Sequence, residues 1–373
     1  MKEISEILKA YSEAKKAGKK TALATVVKVE GSSYRQPGAR MLVTEDGNLT
    51  GAISGGCLEG DALRKALLAI HQQKNKLITY NTSNENDSEI GLQLGCNGIV
   101  HILFEYINDG IVDNPIMLLQ QLETERKGAV IATVFSLKRN AFQTGTVLFF
   151  RENMKPLFNN EIAIQITDDA QKVIENKTTI IKHLGDDNEN EILIEYINPV
   201  VALIVAGAGN DAQPLTNMAD LLGWEVIICD GRATHATKKR FSEAKEIRVV
   251  KPEQFLENIQ IDDQTYFVLM THDYKYDLTV LKALLKTNCK YIGILGPKTK
   301  LNRMLDDLNS DGIILNDGQL DRIYGPIGLD IGAETSEEIA LSIIAEIKAV
   351  MTGKPGTSLK YKTEKIHNSN VII

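Results

Sequence analysis

The chain is 373 residues long, which at roughly 100 to 200 residues per domain leaves room for two or three domains with ample core and excludes a disordered or disulfide-stapled miniprotein. Apolar residues make up 43% and charged residues 24%, ordinary values for a globular protein, so composition gives no sign of a fibre, a coiled coil or low complexity. The 42 Lys and Arg against 49 Asp and Glu leave a net charge of −7, which argues against a general nucleic-acid or anionic-membrane surface, since both need excess positive charge.

Ile4, Ile7, Leu8, Tyr11 and Ala14 recur at helical spacing and Gly18 is a fitting stop, so residues 4–17 predict an opening amphipathic helix that lies on a sheet. TALATVVKV (21–29), a loop through residue 40, MLVT (41–44), the turn signal Asp46-Gly47-Asn48 and LTGAI (49–53) read as strand, loop and hairpin. A helix over 58–72 follows. Strand-like runs recur at 76–82, 98–107, 129–137, 142–151, 178–184 and 190–197, with an amphipathic helix near 115–126, so the first half is a mixed α+β domain over residues 1–197.

At Asn198-Pro199 the pattern changes. VALIVAGAG (201–209) is a continuous apolar run ending in glycines, the form of a strand buried on both faces. Strands at 225–230, 246–250, 266–271 and 291–296 then alternate with helices near 212–222, 252–258, 275–287 and 297–309, and Thr335-x-x-Glu338 fits a capping box on a helix over 336–352. Residues 198–352 therefore predict a Rossmann-like, doubly wound parallel sheet, making the chain α/β as a whole, with 353–373 as a polar tail. No internal repeat is present.

The longest strongly apolar run, around 200–206, is about a third of what a spanning helix needs. Met1 leads into a charged amphipathic segment rather than an apolar signal core, so a cytoplasmic protein without a membrane partner is expected. Cys57, Cys96, Cys229 and Cys289 form no C-x-x-C pair, and the six histidines form no H-x-x-x-H or H-E-x-x-H pair. Reduced thiols and no metal held by protein side chains alone are the expectation.

Three loops carry the chemistry. Gly207-x-Gly209-x-x-Ala212 lies between a predicted strand and helix, where glycines allow a tight turn and bring backbone N–H groups to a phosphate. Asp230 ends the next strand about 20 residues on, where an acid reaches a ribose hydroxyl, with Arg232 just beyond it. The plain alternative is that the glycines only ease packing and Asp230 caps a turn. His272, in Thr271-His272-Asp273, and Gly296 follow later strands at the same carboxyl edge, where ligands bind in open α/β sheets. The loop 325–334, running into a helix start, is likewise suited to an anion or to a structural turn.

In the first half, Ser54-Gly55-Gly56-Cys57 precedes a helix, so the thiol stands at the positive end of a helix dipole, a location for reactive sulfur. The alternative is a small buried apolar residue. Leu94-Gly95-Cys96-Asn97-Gly98 repeats a thiol in a glycine-flanked loop before a strand, and two such thiols suggest sulfur chemistry or soft-ligand binding; a disulfide between them stays open. The loop 31–40 offers Ser32, Ser33, Arg35 and Arg40, and Arg forks bind phosphate bidentately, unless they are committed to salt bridges within the fold.

Together GSSYRQPGARMLVTEDGNLTGAISGGCLEGD (31–61), LGCNG (94–98), LIVAGAGNDAQPL (203–215), THDYKYDL (271–278) and GPIGLDIGAETSEEIALSIIAEI (325–347) resemble, in order, the blocks of the XdhC/CoxI family, the accessory proteins of molybdenum hydroxylases. The resemblance implies an N-terminal XdhC/CoxI domain, a Rossmann-like domain and a homodimer. It implies a carrier that binds molybdenum cofactor, as plain molybdopterin or its dinucleotide, holds it while a cysteine-desulfurase-type donor supplies the terminal sulfur, and delivers it to an apo molybdenum hydroxylase such as xanthine dehydrogenase. Such a protein is a chaperone more than a catalyst. By the same resemblance, Cys57 with Gly55 and Gly56 matches the family's Gly-Gly-Cys motif and is the first candidate for contact with cofactor or sulfur. Cys96 matches its second Cys motif; Arg35, Arg40, Gly207, Gly209 and Asp230 fall where a pterin phosphate or nucleotide sits.

Two departures stand out. Asn97 replaces the first glycine of the usual Gly-Cys-Gly-Gly, and Asn210 stands where the Rossmann loop commonly carries His. An NAD(P)-dependent oxidoreductase is the competing reading of the Gly207 to Asp230 unit, with His272 as its one attractive acid/base. A nucleotidyltransferase or other phosphate-transfer enzyme ranks below it, because no G-x-x-x-x-G-K-[ST] loop is present. Four scattered cysteines cannot ligate the paired [2Fe–2S] clusters of the hydroxylases themselves, each of which takes about four thiolates.

Overall fold

The computed structural model describes residues 1–81, 98–111, 113–158, 162–185, 189–363 and 371–372. The chain divides into two compact units, the first Met1–Pro199 joined by the terminal residues, the second starting at Val200.

In the first unit, α1 (Lys2–Lys16) buries Ile4, Ile7, Leu8, Tyr11 and Ala14, the residues that share one helical face. β1 (Thr21–Gly31), β2 (Arg40–Thr44) and β3 (Leu49–Gly51) follow, then α2 (Glu59–Gln72), β4 (Lys76–Asn81) and β5 (Gly98–Tyr106). These strands make an antiparallel sheet in the order β3-β2-β1-β5-β4. The expected helix near 115–126 is shorter, α3 (Pro115–Gln120) with a 3-10 turn over Gln121–Glu123.

β6 (Ala129–Phe135), β7 (Gly145–Phe150), β8 (Leu157–Phe158), α4 (Ile162–Gln165), α5 (Thr167–Asn176), β9 (Thr179–Leu184) and β10 (Asn190–Ile197) complete the unit's continuous stretch. A second sheet runs β9-β10-β6-β7-β8, and a strand at Val371–Ile372 adds to it in parallel beside β9. Period-two alternation sorts the side chains. Ala22, Ala24 and Val26 of β1 pack with α2, whereas Leu23 joins α1, α3 and the second sheet, so β1 is buried on both faces.

The second unit contains β11 (Ala202–Ala206), α6 (Ala212–Leu221), β12 (Glu225–Asp230), β13 (Glu246–Val249), β14 (Thr265–Leu269), α7 (Tyr274–Leu284), β15 (Ile292–Ile294), α8 (Lys298–Ser310), α9 (Asp317–Leu320), β16 (Ile323–Tyr324) and α10 (Ser336–Thr352). Its sheet runs β13-β12-β11-β14-β15-β16 with every pairing parallel, the strand order of a dinucleotide-type fold. Leu203 and Val205 face the core shared with α6 and α10, while Ala202, Ile204 and Ala206 face that of α7 and α8. Helices thus cover both faces, and the topological switch falls between β11 and β14. The strand order places the loops after β11, β12, β14 and β15 side by side at the carboxyl edge. The helix expected over 252–258 is only a 3-10 turn at Pro252–Gln254; beyond it the backbone makes isolated i+3 to i bonds, Glu257 N to the Gln254 carbonyl at 3.1 Å and Ile259 N to the Leu256 carbonyl at 3.2 Å, and Asn258 adopts left-handed backbone (φ 57°).

Candidate functional site

In the first unit the loop from Ser54 to Cys57 is held by one carboxylate. The N-terminal turn of α2 has no side-chain cap at Leu58. Instead Glu59 accepts from Ser54 N at 3.0 Å, from Leu58 N at 3.2 Å and from the Ser54 hydroxyl. The same hydroxyl oxygen accepts from Gly56 N at 3.2 Å and Leu58 N at 3.1 Å. The protein's own carboxylate therefore occupies the N–H cradle at this helix start, where an anion would otherwise sit. Cys57 is a free, half-buried thiol against the α2 core, and among the described residues none comes within 4 Å of where a Cβ on Gly56, at φ 108°, would stand. By contrast, Cys229 and Cys289 are buried in the second unit, and burial pushes the Cys229 thiol up to about 12, which leaves both as packing residues.

The serine–arginine loop meets this thiol loop. The Tyr34 ring, 66% exposed, lies 3.6 Å from where a Cβ on Gly55 would stand. Gly98 pairs with Gly31, and a Cβ there would overlap the Ser32 carbonyl. Ser32 is exposed and Ser33 half-buried. Cys96 lies outside the described residues. Both arginines are committed within the unit. Arg35 pairs with Glu3, and buried Arg40 binds Glu195 at 2.6 Å and 3.3 Å and the Gly38 carbonyl at 2.8 Å.

In the second unit, Gly207 adopts φ 127° and lies so close to β14 that a Cβ would overlap the Met270 carbonyl and stand 2.9 Å from Thr271 N. Asp230 reaches back to this loop. Its Oδ2 accepts from Ala208 N at 2.7 Å and Arg232 Nη2 at 2.7 Å, and its Oδ1 from Arg232 N at 2.8 Å and Nε at 2.9 Å. Burial alone would raise its pKa, but the Arg232 guanidinium and the Ala208 and Arg232 amides outweigh that and hold it below the ordinary carboxylate value. Arg240 binds the loop from the other side, donating to the Ala208 carbonyl at 2.8 Å and to Asn210 Oδ1 at 2.9 Å.

His272, at φ 59°, places Nε2 3.4 Å from Asp211 Oδ2 and its ring 3.8 Å from the Cβ position of Gly209. Asp211 also accepts from Ser336 Oγ at 2.7 Å, and the start of α6 carries no side-chain cap. Gly296 packs against Lys300, whose Nζ donates to buried Asp277 at 2.7 Å, and Asp277 accepts from Thr271 Oγ1 at 2.6 Å. Gly207, Gly209, Asp230, Arg232 and His272 thus share one edge, with Gly296 linked through Lys300. Sequence reasoning missed Glu59, Arg240, Asp211 with Ser336, and the Lys300–Asp277 pair. Glu59 alone had a local signal, an acid in the first turn after a capless Ser-Gly-Gly-Cys. Among the described residues no three His, Cys, Asp or Glu side chains gather to hold a metal ion, and no helix is long and apolar enough to cross a membrane.

Comparison with known proteins follows this division. Residues 203–347 match a family model described as the XdhC Rossmann domain, and residues 14–81 match that of the XdhC and CoxI family. A Bacillus subtilis protein described as a probable subunit of xanthine dehydrogenase is 33% identical over 325 residues, 87% of this chain and 91% of that protein. Molybdenum cofactor insertion chaperone PaoD from Escherichia coli is 25% identical over 344 residues, 92% of this chain and 87% of that protein. A crystal structure described as a xanthine dehydrogenase from Bacillus halodurans superposes with a TM-score of 0.74 at 28% identity, covering 95% of this chain and 99% of that one.

Proposed function

We propose a function that proceeds from one premise: this chain belongs to the XdhC and CoxI family. It binds molybdenum cofactor as cargo, shelters it during terminal sulfuration by a cysteine-desulfurase-type donor, and passes it to an apo molybdenum hydroxylase of the xanthine dehydrogenase type. The similarity to a cofactor insertion chaperone along 92% of the chain supports this reading, and a homodimer acting in the cytoplasm is part of it.

The observation that carries it is the thiol loop. A cargo with a soft metal–dithiolene head suits a sulfur ligand beside small residues that leave room for it. Among the described residues Cys57 is the half-buried thiol, and none of them crowds the neighbouring Gly56 within 4 Å of a Cβ position. Glu59 already fills the helix-start cradle of that loop, so the reading puts no phosphate there. In the second unit, taken by itself, the uncapped start of α6 offers an anion the positive end of a helix.

The test incubates the reduced protein and its Cys57→Ala variant anaerobically with molybdenum cofactor, desalts them, and measures bound molybdenum and pterin fluorescence. The expected result is near-stoichiometric retention that weakens about tenfold or more in the variant. Tight NAD(H) binding by nicotinamide fluorescence, with no cofactor retained by either protein, would overturn the reading in favour of a dehydrogenase.

A further inference from the structure

The first unit contains a cleft of about 990 Å³ whose lining includes no residue of the thiol loop. Its walls are the edge strand β4 with the turn before it, the end of β5, the approach to α3 and the loop from β6 to β7. That volume lies at the upper end of small-molecule sites.

Its chemistry runs against the rest of the chain. In a protein of net charge −7, the lining carries Lys74, Lys76, Lys138 and Arg139, of which Lys138 is paired with Glu189 beside the cleft, and the acid in the lining is the buried Glu105. Burial holds the Glu105 pKa up at about 7, so near neutral pH this carboxyl carries only part of a negative charge against those cations. A concave surface with one sign of charge concentrates ions of the other.

The apolar part is equally distinct. Phe142 is 85% exposed at the tip of the β6–β7 loop, and Ile111 and Leu137 add 49% and 37% exposed surface. The loop is clamped at its base: Gln143 accepts from Ser136 N at 3.0 Å and donates to the Ser136 carbonyl at 2.9 Å. Asn75 ties it to the first sheet, donating to the Gln143 and Thr144 carbonyls at 3.2 Å each and accepting from Tyr106 N at 3.1 Å. Phe142 is thus presented on a braced ridge beside cations, an arrangement that binds a flat ring with little ordering cost.

We propose that this cleft binds a small organic anion built on a flat ring, a phosphorylated or carboxylated heterocycle, with Phe142 as its stacking face and Lys74, Lys76 and Arg139 as its charged rim. The proposal does not rest on the cargo reading.

The full chain is titrated by calorimetry with guanosine monophosphate and pterin-6-carboxylate, and with guanosine and inorganic phosphate alone as the ring and anion controls. At least one of the two ring anions is expected to bind at one per chain below about 1 mM, with each control about tenfold weaker. Phe142→Ala and Arg139→Glu each weaken that binding about tenfold. Ile314→Ser, which alters another exposed apolar residue (83%) in the second unit, leaves it unchanged, as does Cys57→Ala. Failure of both ring anions to saturate, or binding indifferent to Phe142→Ala and Arg139→Glu, or an equal loss in Ile314→Ser, overturns the proposal. Because Cys57→Ala is silent here, the cargo role and this site stand or fall separately.

Discussion

Glu105 shows how far one side chain departs from its ordinary chemistry when the fold encloses it. It is 1% exposed and accepts from Thr146 N at 2.6 Å and Thr146 Oγ1 at 2.9 Å. Burial raises its pKa from 4.5 to about 7, against the opposing pull of those two donors and of Arg40. The folded state therefore holds a proton that the unfolded chain gives up at lower pH. Stability is fully present below about 4.5 and falls as pH rises through about 7. Glu105→Gln removes that titration, so the variant should gain on the parent between pH 5 and pH 8, by at most about 3 kcal/mol. Urea unfolding at both pH values measures this, and a difference independent of pH refutes it. None of this is legible in the run Leu103-Phe104-Glu105-Tyr106. Alternation puts Glu105 on the inward parity of Leu103, but its partner Thr146 stands 41 residues away in sequence. Asp230 teaches the same lesson: its place at the end of β12 was readable from spacing, whereas its commitment to Ala208 and Arg232 was not.

At the scale of elements, segments with their own punctuation were the readable ones. α10 occupies 336–352 as expected, because Thr335 and Glu338 form the capping box and Gly353 closes the helix in left-handed backbone. The segment 252–258 has Pro252 to start a helix but no such pair, and buried Phe255 follows a single 3-10 turn. α5 went unread although Ile166, Ala170 and Val173 share its buried face, because its remaining residues are mostly polar. The turn after β11 was read from its glycines, and the structure supplies the reason for the first. At φ 127° and against the Met270–Thr271 backbone, position 207 has neither the dihedral nor the space for a side chain. Gly207→Ala should force β11 and β14 apart at the switch point and cost more than about 3 kcal/mol. Thermal unfolding followed by the single tryptophan, Trp224, reads this directly, and a loss under about 1 kcal/mol would show that the loop relaxes around the methyl group.

For the whole molecule, the pattern changes at Asn198-Pro199 from an alternating, mainly antiparallel composition to uniformly apolar strands, and the second compact unit starts at Val200. The strand at Val371–Ile372 was not legible: two apolar residues in a Lys-rich tail carry no periodicity, and only the open edge of β9 gives them a place. Each unit has cores of its own, the first drawing on residues from Ile4 to Ile197 and the second on residues from Val201 to Ile347. Damage to one unit should therefore be read locally. Asp230→Asn keeps the shape of the side chain but turns an amide NH2 toward Ala208 N and Arg232 Nη2, leaving the buried Ala208 N–H without its acceptor. The expected cost is about 2 kcal/mol. It should lower the Trp224-monitored midpoint and speed hydrogen exchange in peptides from β11 and β12. Peptides from β1 and β5 should exchange as in the parent, because their amides open with the first unit's cores. Equal acceleration in both sets would mean that the chain unfolds as one cooperative body, and the two units would then be divisions of its architecture without being divisions of its stability.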